Sequence, residues 1–128
     1  MRKGTAIGRV RGLGSAREGT HHWLNQRITA GSNILLMTWL VISLARMQGF
    51  DHGSMIRWLS SPWVAVPMVL LIISVFSHFR LGLQTVIEDY QANEARVVAL
   101  IALNLFTVAA AATAIFAVLR IALTGNAA

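Results

Sequence analysis

Long runs of apolar residues without a charged side chain alternate with short polar segments along this chain. Each run is close to the roughly 20 residues that an α-helix needs to cross the hydrocarbon core of a bilayer. The second run follows a Ser-Ser-Pro sequence, which favours a helix start near Val64, and it continues past Arg80 because 81–87 is again uncharged. The pattern predicts three transmembrane helices, over about 28–46, 64–87 and 97–119.

The composition agrees with a membrane protein. Of the 128 residues, 55% are hydrophobic and only 12% are charged, which is too apolar for an ordinary soluble domain of this length. The sequence contains no internal repeat. We therefore expect an all-α fold, with a basic arm and interfacial segment over 1–27 followed by a three-helix transmembrane domain over 28–128.

The basic residues are unevenly distributed. The net charge of +6 has the sign expected of a nucleic-acid-binding protein, but six of the eleven Lys and Arg residues precede the first span, where Glu18 is the only acid. Arg46, Arg57 and Arg120 fall on the opposite side. The positive-inside rule then predicts a cytoplasmic N-terminus and a periplasmic C-terminus. We expect contacts with membrane lipids and no binding of nucleic acid.

The N-terminal segment bears on the location of the protein. No apolar core of a signal peptide precedes Ile28, whereas the Arg-rich, acid-poor start is similar in composition to a mitochondrial presequence. We expect an uncleaved protein of the bacterial inner membrane, with the mitochondrial inner membrane as the alternative. The absence of cysteine excludes disulfides, thiolate metal ligands and cysteine nucleophiles.

His78 lies inside the second predicted span, where an ionisable residue usually faces a partner, a cavity or a cofactor. On a regular helix Ser74 and Gly82 lie one turn before and after it, so a flat macrocycle ligated by His78 would meet small neighbours. Neutral imidazole is a common axial ligand of haem iron. The alternative is a core histidine that is hydrogen-bonded to another helix. No second histidine lies in a span, so the other haem ligand would come from another subunit.

Two arginines lie near this site in the sequence. Arg80 points roughly 200° away from His78 on a regular helix, so its role stays open between a partner acid, a lipid headgroup and a haem propionate. Arg27, at the mouth of the first span, is the better candidate for a haem propionate. A lipid-phosphate anchor is its alternative role.

Asp89 and Tyr90 follow directly after the second predicted span. They lie on the order of 16 Å beyond His78 if the segment is helical, which places them near the membrane surface. A phenol can donate a hydrogen bond to a quinone carbonyl, and an acid can relay the protons that quinone reduction consumes. The alternative is a plain interface anchor.

The motif "SHFRLGLQTVIEDY", at the end of the second of three spans, closely resembles the small hydrophobic anchor subunit of succinate dehydrogenase, respiratory complex II, of the cytochrome b556 type. The segment "GTHHWLNQRITA" is similar to the same family, with His21 six residues before Arg27. The arm "GRVRGLGSAREGT" resembles the N-terminal arms of alphaproteobacterial members. The third span resembles the family only in its general apolar composition, without a shared motif.

The resemblance implies specific roles. His78 would supply one axial ligand to haem b, with the other from a larger cytochrome b anchor subunit. Tyr90 would bind a ubiquinone carbonyl with Asp89 beside it, and Arg27 and His21 would lie near the haem propionates or the quinone pocket. Flavin and iron–sulfur clusters belong to a flavoprotein and an iron–sulfur subunit in this family. The chain itself is then expected to be a non-catalytic anchor of the oxidoreductase, which passes electrons from succinate to ubiquinone.

Three alternatives stay open from the sequence. The first is a quinol:fumarate reductase anchor, because reaction direction depends on cofactor potentials and quinone type. The second is a structural membrane adaptor without haem, in which His78 only bonds a neighbouring helix. The third is a small transporter, which the lack of an internal repeat disfavours.

Overall fold

The computed structural model describes residues 18–125, and 91% of these are helical, with no strand among them. Four helices follow one another along the chain: α1 (Glu18–Ala45), α2 (His52–Ser60), α3 (Pro62–Tyr90) and α4 (Asn93–Thr124). The all-α prediction is therefore confirmed. Most of the predicted basic arm, residues 1–17, lies outside the described residues.

Three of the helices are long and apolar enough to cross a membrane, over Gly19–Ala45, Pro62–Tyr90 and Asn93–Thr124. At about 1.5 Å per residue each exceeds the roughly 30 Å of a hydrocarbon core, so polar residues at the helix ends extend into the headgroup region. The helices are longer than the apolar runs because their polar flanks are also helical. In particular, α1 includes the interfacial segment that precedes Ile28.

α3 lies between the other two long helices. It packs against α1 on one side and α4 on the other, whereas α1 and α4 make no contact with each other. Leu71 and Ser74 of α3 and Leu103 and Thr107 of α4 are buried in this packing. Most large apolar side chains are exposed on the isolated chain, which is the arrangement expected of a subunit surrounded by lipid and other membrane helices.

The segment between the first two spans contains α2, a short helix that the pattern of apolar runs does not predict. Asp51 caps its N-terminus: the carboxylate accepts hydrogen bonds from the Ser54 backbone N–H at 3.1 Å and the Ser54 hydroxyl at 2.7 Å. These bonds to the charged form lower the pKa of Asp51. The helix packs against α3 and α4, and Trp58 Nε1 donates to Ser43 Oγ at the end of α1, at 3.0 Å.

Helix α3 begins and ends abruptly. Pro62 occupies its first turn, where the missing N–H would have no partner in any case, and this matches the predicted role of the Ser-Ser-Pro sequence. At the other end only Gln91 and Ala92 separate α3 from α4. Asn93 has a φ of 58°, in the left-handed region that asparagine tolerates better than most residues. The short turn keeps the ends of α3 and α4 side by side.

Candidate functional site

His78 lies half-buried at the contact between α1 and α3. Its Nδ1 atom is 3.1 Å from the hydroxyl oxygen of Thr29, on α1. The other ring nitrogen, Nε2, makes no hydrogen bond within residues 18–125 and is not among the atoms sealed inside this part of the chain. The ring is thus held at one nitrogen and available at the other.

Thr29 is itself tied to the backbone. Its Oγ1 lies 2.9 Å from the carbonyl oxygen of Asn25 and 3.1 Å from that of Gln26, and it donates its single proton to this pair. The hydroxyl of Ser74, one turn before His78, donates to the backbone carbonyl of Thr29 at 3.3 Å. Two polar contacts therefore join α1 and α3 at this level, within one turn of each other.

The surface of α3 next to His78 is open. A Cβ atom built at Gly82 would meet nothing within 4 Å, and Ser74 on the other side has a small, buried side chain. This is the small-residue face that the sequence predicted around His78. The open part of this face is the Gly82 side, because Ser74 is buried against α1.

Within residues 18–125, no three His, Asp or Glu side chains are grouped closely enough to hold a bare metal ion. A metal ion at His78 would need its other ligands from outside these residues. That arrangement suits a metal already held by a macrocycle, which needs only axial ligands from protein.

Arg80 points away from His78, as the helical geometry predicted. It is exposed and lines a cavity of about 420 Å³ in the gap between α1 and α4, together with Asn25, Ser77 and Thr107. α3 forms the floor of this cavity because the outer helices do not meet. Arg80 and His78 thus belong to different surfaces of α3.

The structure does not bring His21 and Arg27 to His78. Both are exposed on α1, and the guanidinium of Arg27 lies over the ring of Trp23, 5.4 Å from its centroid. Arg27 is two residues from Thr29 and so lies roughly 200° around the helix from the α3 contact. Any ligand shared by Arg27 and His78 would have to extend around α1 or between this chain and a partner.

At the end of α3 the two neighbouring acids differ in their surroundings. Glu88 accepts a hydrogen bond from Gln84 Nε2 at 2.9 Å and lies 3.8 Å from the guanidinium of Arg96. Asp89 and Tyr90 have no side-chain partner among the described residues, and Tyr90 is 83% exposed. Glu88 is therefore part of the α3–α4 turn, while Asp89 and Tyr90 are available to another molecule.

Sequence reasoning missed a polar stripe on α1. His22, Gln26, Thr29 and Asn33 recur at helical spacing and are half-buried in the described chain, and Thr29 makes the contact with His78. The Nε2 atom of His22 and the Oδ1 atom of Asn33 are sealed from the surface without a partner. The spacing of these four residues, which puts them on one face of the helix, is the signal that could have identified this stripe.

Comparison with known proteins decides the family. Residues 1–116 match the model of the succinate dehydrogenase/fumarate reductase transmembrane subunit. The chain belongs to this family. It is similar to the succinate dehydrogenase hydrophobic membrane anchor subunit of Rickettsia bellii, with 37% identity over 80% of this chain and 82% of the relative. The anchor subunit of Paracoccus denitrificans is 33% identical over 88% of this chain and 87% of its own length. No solved structure matches the chain.

Proposed function

We propose that the chain is the anchor subunit of a succinate:ubiquinone oxidoreductase that holds one face of a haem b and completes part of a ubiquinone site. The observation that carries the proposal is His78, an imidazole in an apolar span with Nδ1 held by Thr29 and Nε2 without a hydrogen-bond partner among residues 18–125. An ionisable residue in a span usually serves a function, and this one presents a ligating atom beside an open helix surface.

The residues around His78 suit haem b. The open surface at Gly82 leaves room for the plane of the macrocycle, and one imidazole from this chain leaves the second axial position to the partner. Haem b, when bound, supplies a one-electron redox centre between the two membrane subunits. His21 and Arg27 are the basic groups we propose for its propionates or for the quinone pocket, which they would reach through the partner side of α1.

Tyr90 and Asp89 form the proposed quinone end of the site. The phenol donates a hydrogen bond to a ubiquinone carbonyl, and the carboxylate exchanges the proton that reduction of that carbonyl requires. Two observations support this role. Asp89 and Tyr90 are exposed, and it is Glu88 that makes the polar contacts with Gln84 and Arg96. Asp89 and Tyr90 can therefore bind a molecule outside the described residues.

The proposed partners follow from the exposed surface and the relatives. The matched relatives are described as membrane anchor subunits of succinate dehydrogenase. We propose that this chain pairs with a larger cytochrome b anchor subunit and docks an iron–sulfur subunit, which carries the flavoprotein subunit. The basic N-terminal arm places the docking side in the cytoplasm of a bacterium, with the protein in the inner membrane and its C-terminus in the periplasm.

A haem spectrum of the purified complex tests the ligand assignment. His78→Leu should sharply reduce the haem content and remove the two-histidine signature from the reduced-minus-oxidised spectrum. The matched control is His52→Leu, because His52 is an exposed histidine at the start of α2, far from the α1–α3 contact. A normal two-histidine spectrum in the His78 variant would overturn the proposal.

Two other functions have an observation in their favour. The family model covers fumarate reductase subunits as well, so an anchor of a quinol:fumarate reductase is the second candidate. The two directions are distinguished by comparing succinate:quinone and quinol:fumarate turnover in the same preparation. A haem-free adaptor would also use the bond between His78 and Thr29, and a complex that assembles without haem absorbance would favour it.

A further inference from the structure

We infer that Thr29 is a positioning residue for His78: its hydroxyl oxygen accepts the Nδ1–H proton and thereby fixes Nε2 as the nitrogen that binds iron. The inference rests on the proposed haem ligation by His78. It adds to that proposal a residue from another helix, which sets both the tautomer and the orientation of the ring.

The single proton of the Thr29 hydroxyl leads to this assignment. The hydroxyl has one proton, and two backbone carbonyl oxygens, of Asn25 and Gln26, lie within 3.1 Å to accept it. With that proton on a carbonyl oxygen, the hydroxyl presents a lone pair to His78 and accepts. The 3.1 Å contact is then made by a proton on Nδ1, which leaves the lone pair of the imidazole on Nε2.

The position of Thr29 is fixed independently of the imidazole. Its backbone carbonyl accepts a hydrogen bond from Ser74, four residues before His78 on the same helix. The acceptor and the ring are thus tied to each other through two contacts between the same pair of helices. Sliding or rotation of α1 against α3 would break both contacts.

This arrangement has a chemical consequence for a metal at Nε2. When the ring nitrogen that does not bind the metal donates a hydrogen bond, the metal-bound nitrogen becomes more basic and the ring is restrained. Loss of that hydrogen bond typically weakens metal binding about 10- to 100-fold. A more basic imidazole favours the higher oxidation state of iron. Removal of the acceptor should therefore raise the midpoint potential of the haem.

The test replaces Thr29 in the intact complex and measures the haem directly. In Thr29→Val the shape is kept and the acceptor is lost, so we expect haem to dissociate at least about tenfold faster, with a higher midpoint potential and an altered low-spin EPR signal. Thr29→Ser keeps the hydroxyl and should resemble the unmodified complex. Thr38→Val is the matched control, because the Thr38 hydroxyl bonds only the backbone oxygen of Ile34 on its own helix, at 2.7 Å.

The outcomes separate this inference from the proposed function. If Thr29→Val leaves potential, EPR signal and haem retention unchanged while His78→Leu loses haem, the positioning role is wrong and the ligand assignment stands. If His78→Leu retains haem, the ligand assignment itself fails. Should Thr29→Val not assemble, Thr29→Cys supplies a weaker acceptor of similar size, and a potential equal to that of Thr29→Ser would overturn the inference.

Discussion

The three polar side chains at the end of α3 differ in their contacts. Glu88 bonds Gln84 and lies beside Arg96, so it holds the turn to α4. Asp89 and Tyr90 face outwards and lack such partners among the described residues. Glu88 therefore has a structural role, whereas Asp89 and Tyr90 carry the proposed quinone role, so substitutions of Glu88 and of the other two residues should affect different properties of the complex.

Replacement of Tyr90 by Phe removes one hydroxyl donor and leaves the ring. A hydrogen bond is worth about 0.5–1.5 kcal/mol net, so we expect quinone reduction to fall by several-fold up to about tenfold. Succinate oxidation with an artificial acceptor, measured in the same preparation, should be nearly unchanged. Glu88→Gln serves as the neighbouring control and should leave quinone reduction near its original rate. Equal losses of both activities in Tyr90→Phe would contradict a role in quinone binding.

The sequence predicts some of these residues and misses others for a physical reason. His78, Asp89 and Tyr90 are visible because an ionisable or aromatic residue at membrane depth or at the interface is exceptional in an apolar run. Thr29 is not visible, since a threonine in a span is ordinary and its contact with His78 joins residues 49 positions apart. Only the relative rotation of α1 and α3 reveals it.

At the scale of the secondary-structure elements, α2 is the least predictable part of the fold. Its nine residues follow a short segment that contains Gly49, and the apolar windows that identify spans are too long to detect it. The local signal is the cap: Asp51 precedes the helix and Ser54 follows three residues later. The helix is stabilised by this cap and by packing on α3 and α4.

The cap gives α2 a pH dependence. Because the folded-state pKa of Asp51 is lowered by its bonds to Ser54, its contribution is complete above the ordinary carboxylate pKa of about 3.9 and is lost as the pH falls through the folded value. Protection of the 52–60 amides against hydrogen exchange, taken relative to the intrinsic exchange rate at each pH, should therefore fall at the acid end of this window. Asp51→Asn keeps a capping acceptor without a titrating group and should remove this pH dependence of the protection, whereas Asp51→Ala should lower the protection at every pH.

The lengths of the long helices were underestimated for a related reason. Hydropathy marks the part of a helix that lies in hydrocarbon, but helix ends continue through polar residues until a cap or a turn stops them. Thus α3 extends to Tyr90, where the turn at Gln91 begins, rather than ending near Ile87. The number and order of the spans follow from hydropathy, and the helix ends follow from local chemistry.

At the scale of the whole molecule, charge and connectivity determine how the chain lies in the membrane. Three spans place the segments 46–51 and 91–92 on opposite sides. The excess of basic residues before the first span predicts that 91–92 is cytoplasmic. The sequence pattern does not predict which helices pack together, because the three spans are apolar helices of similar composition.

The absence of cysteine permits a direct test of this orientation. Gln48→Cys and Gln91→Cys each place one thiol at an exposed position in a different loop. A membrane-impermeant maleimide applied to spheroplasts should label the residue at position 48 at once and that at position 91 only after permeabilisation. The unmodified chain is the control for background labelling. The reverse order of labelling would show that the N-terminus is periplasmic.

Among the three long helices, α1 and α4 each pack on α3 and not on each other, so the spans form two helix pairs that share a member. The first pair, α1 with α3, already contains Thr29, Ser74 and His78 and their mutual hydrogen bonds. During insertion this pair can close once α3 has entered the membrane, before α4 follows it. The imidazole of the proposed haem ligand is then oriented without the last span, which contributes to the partner surface of the subunit instead.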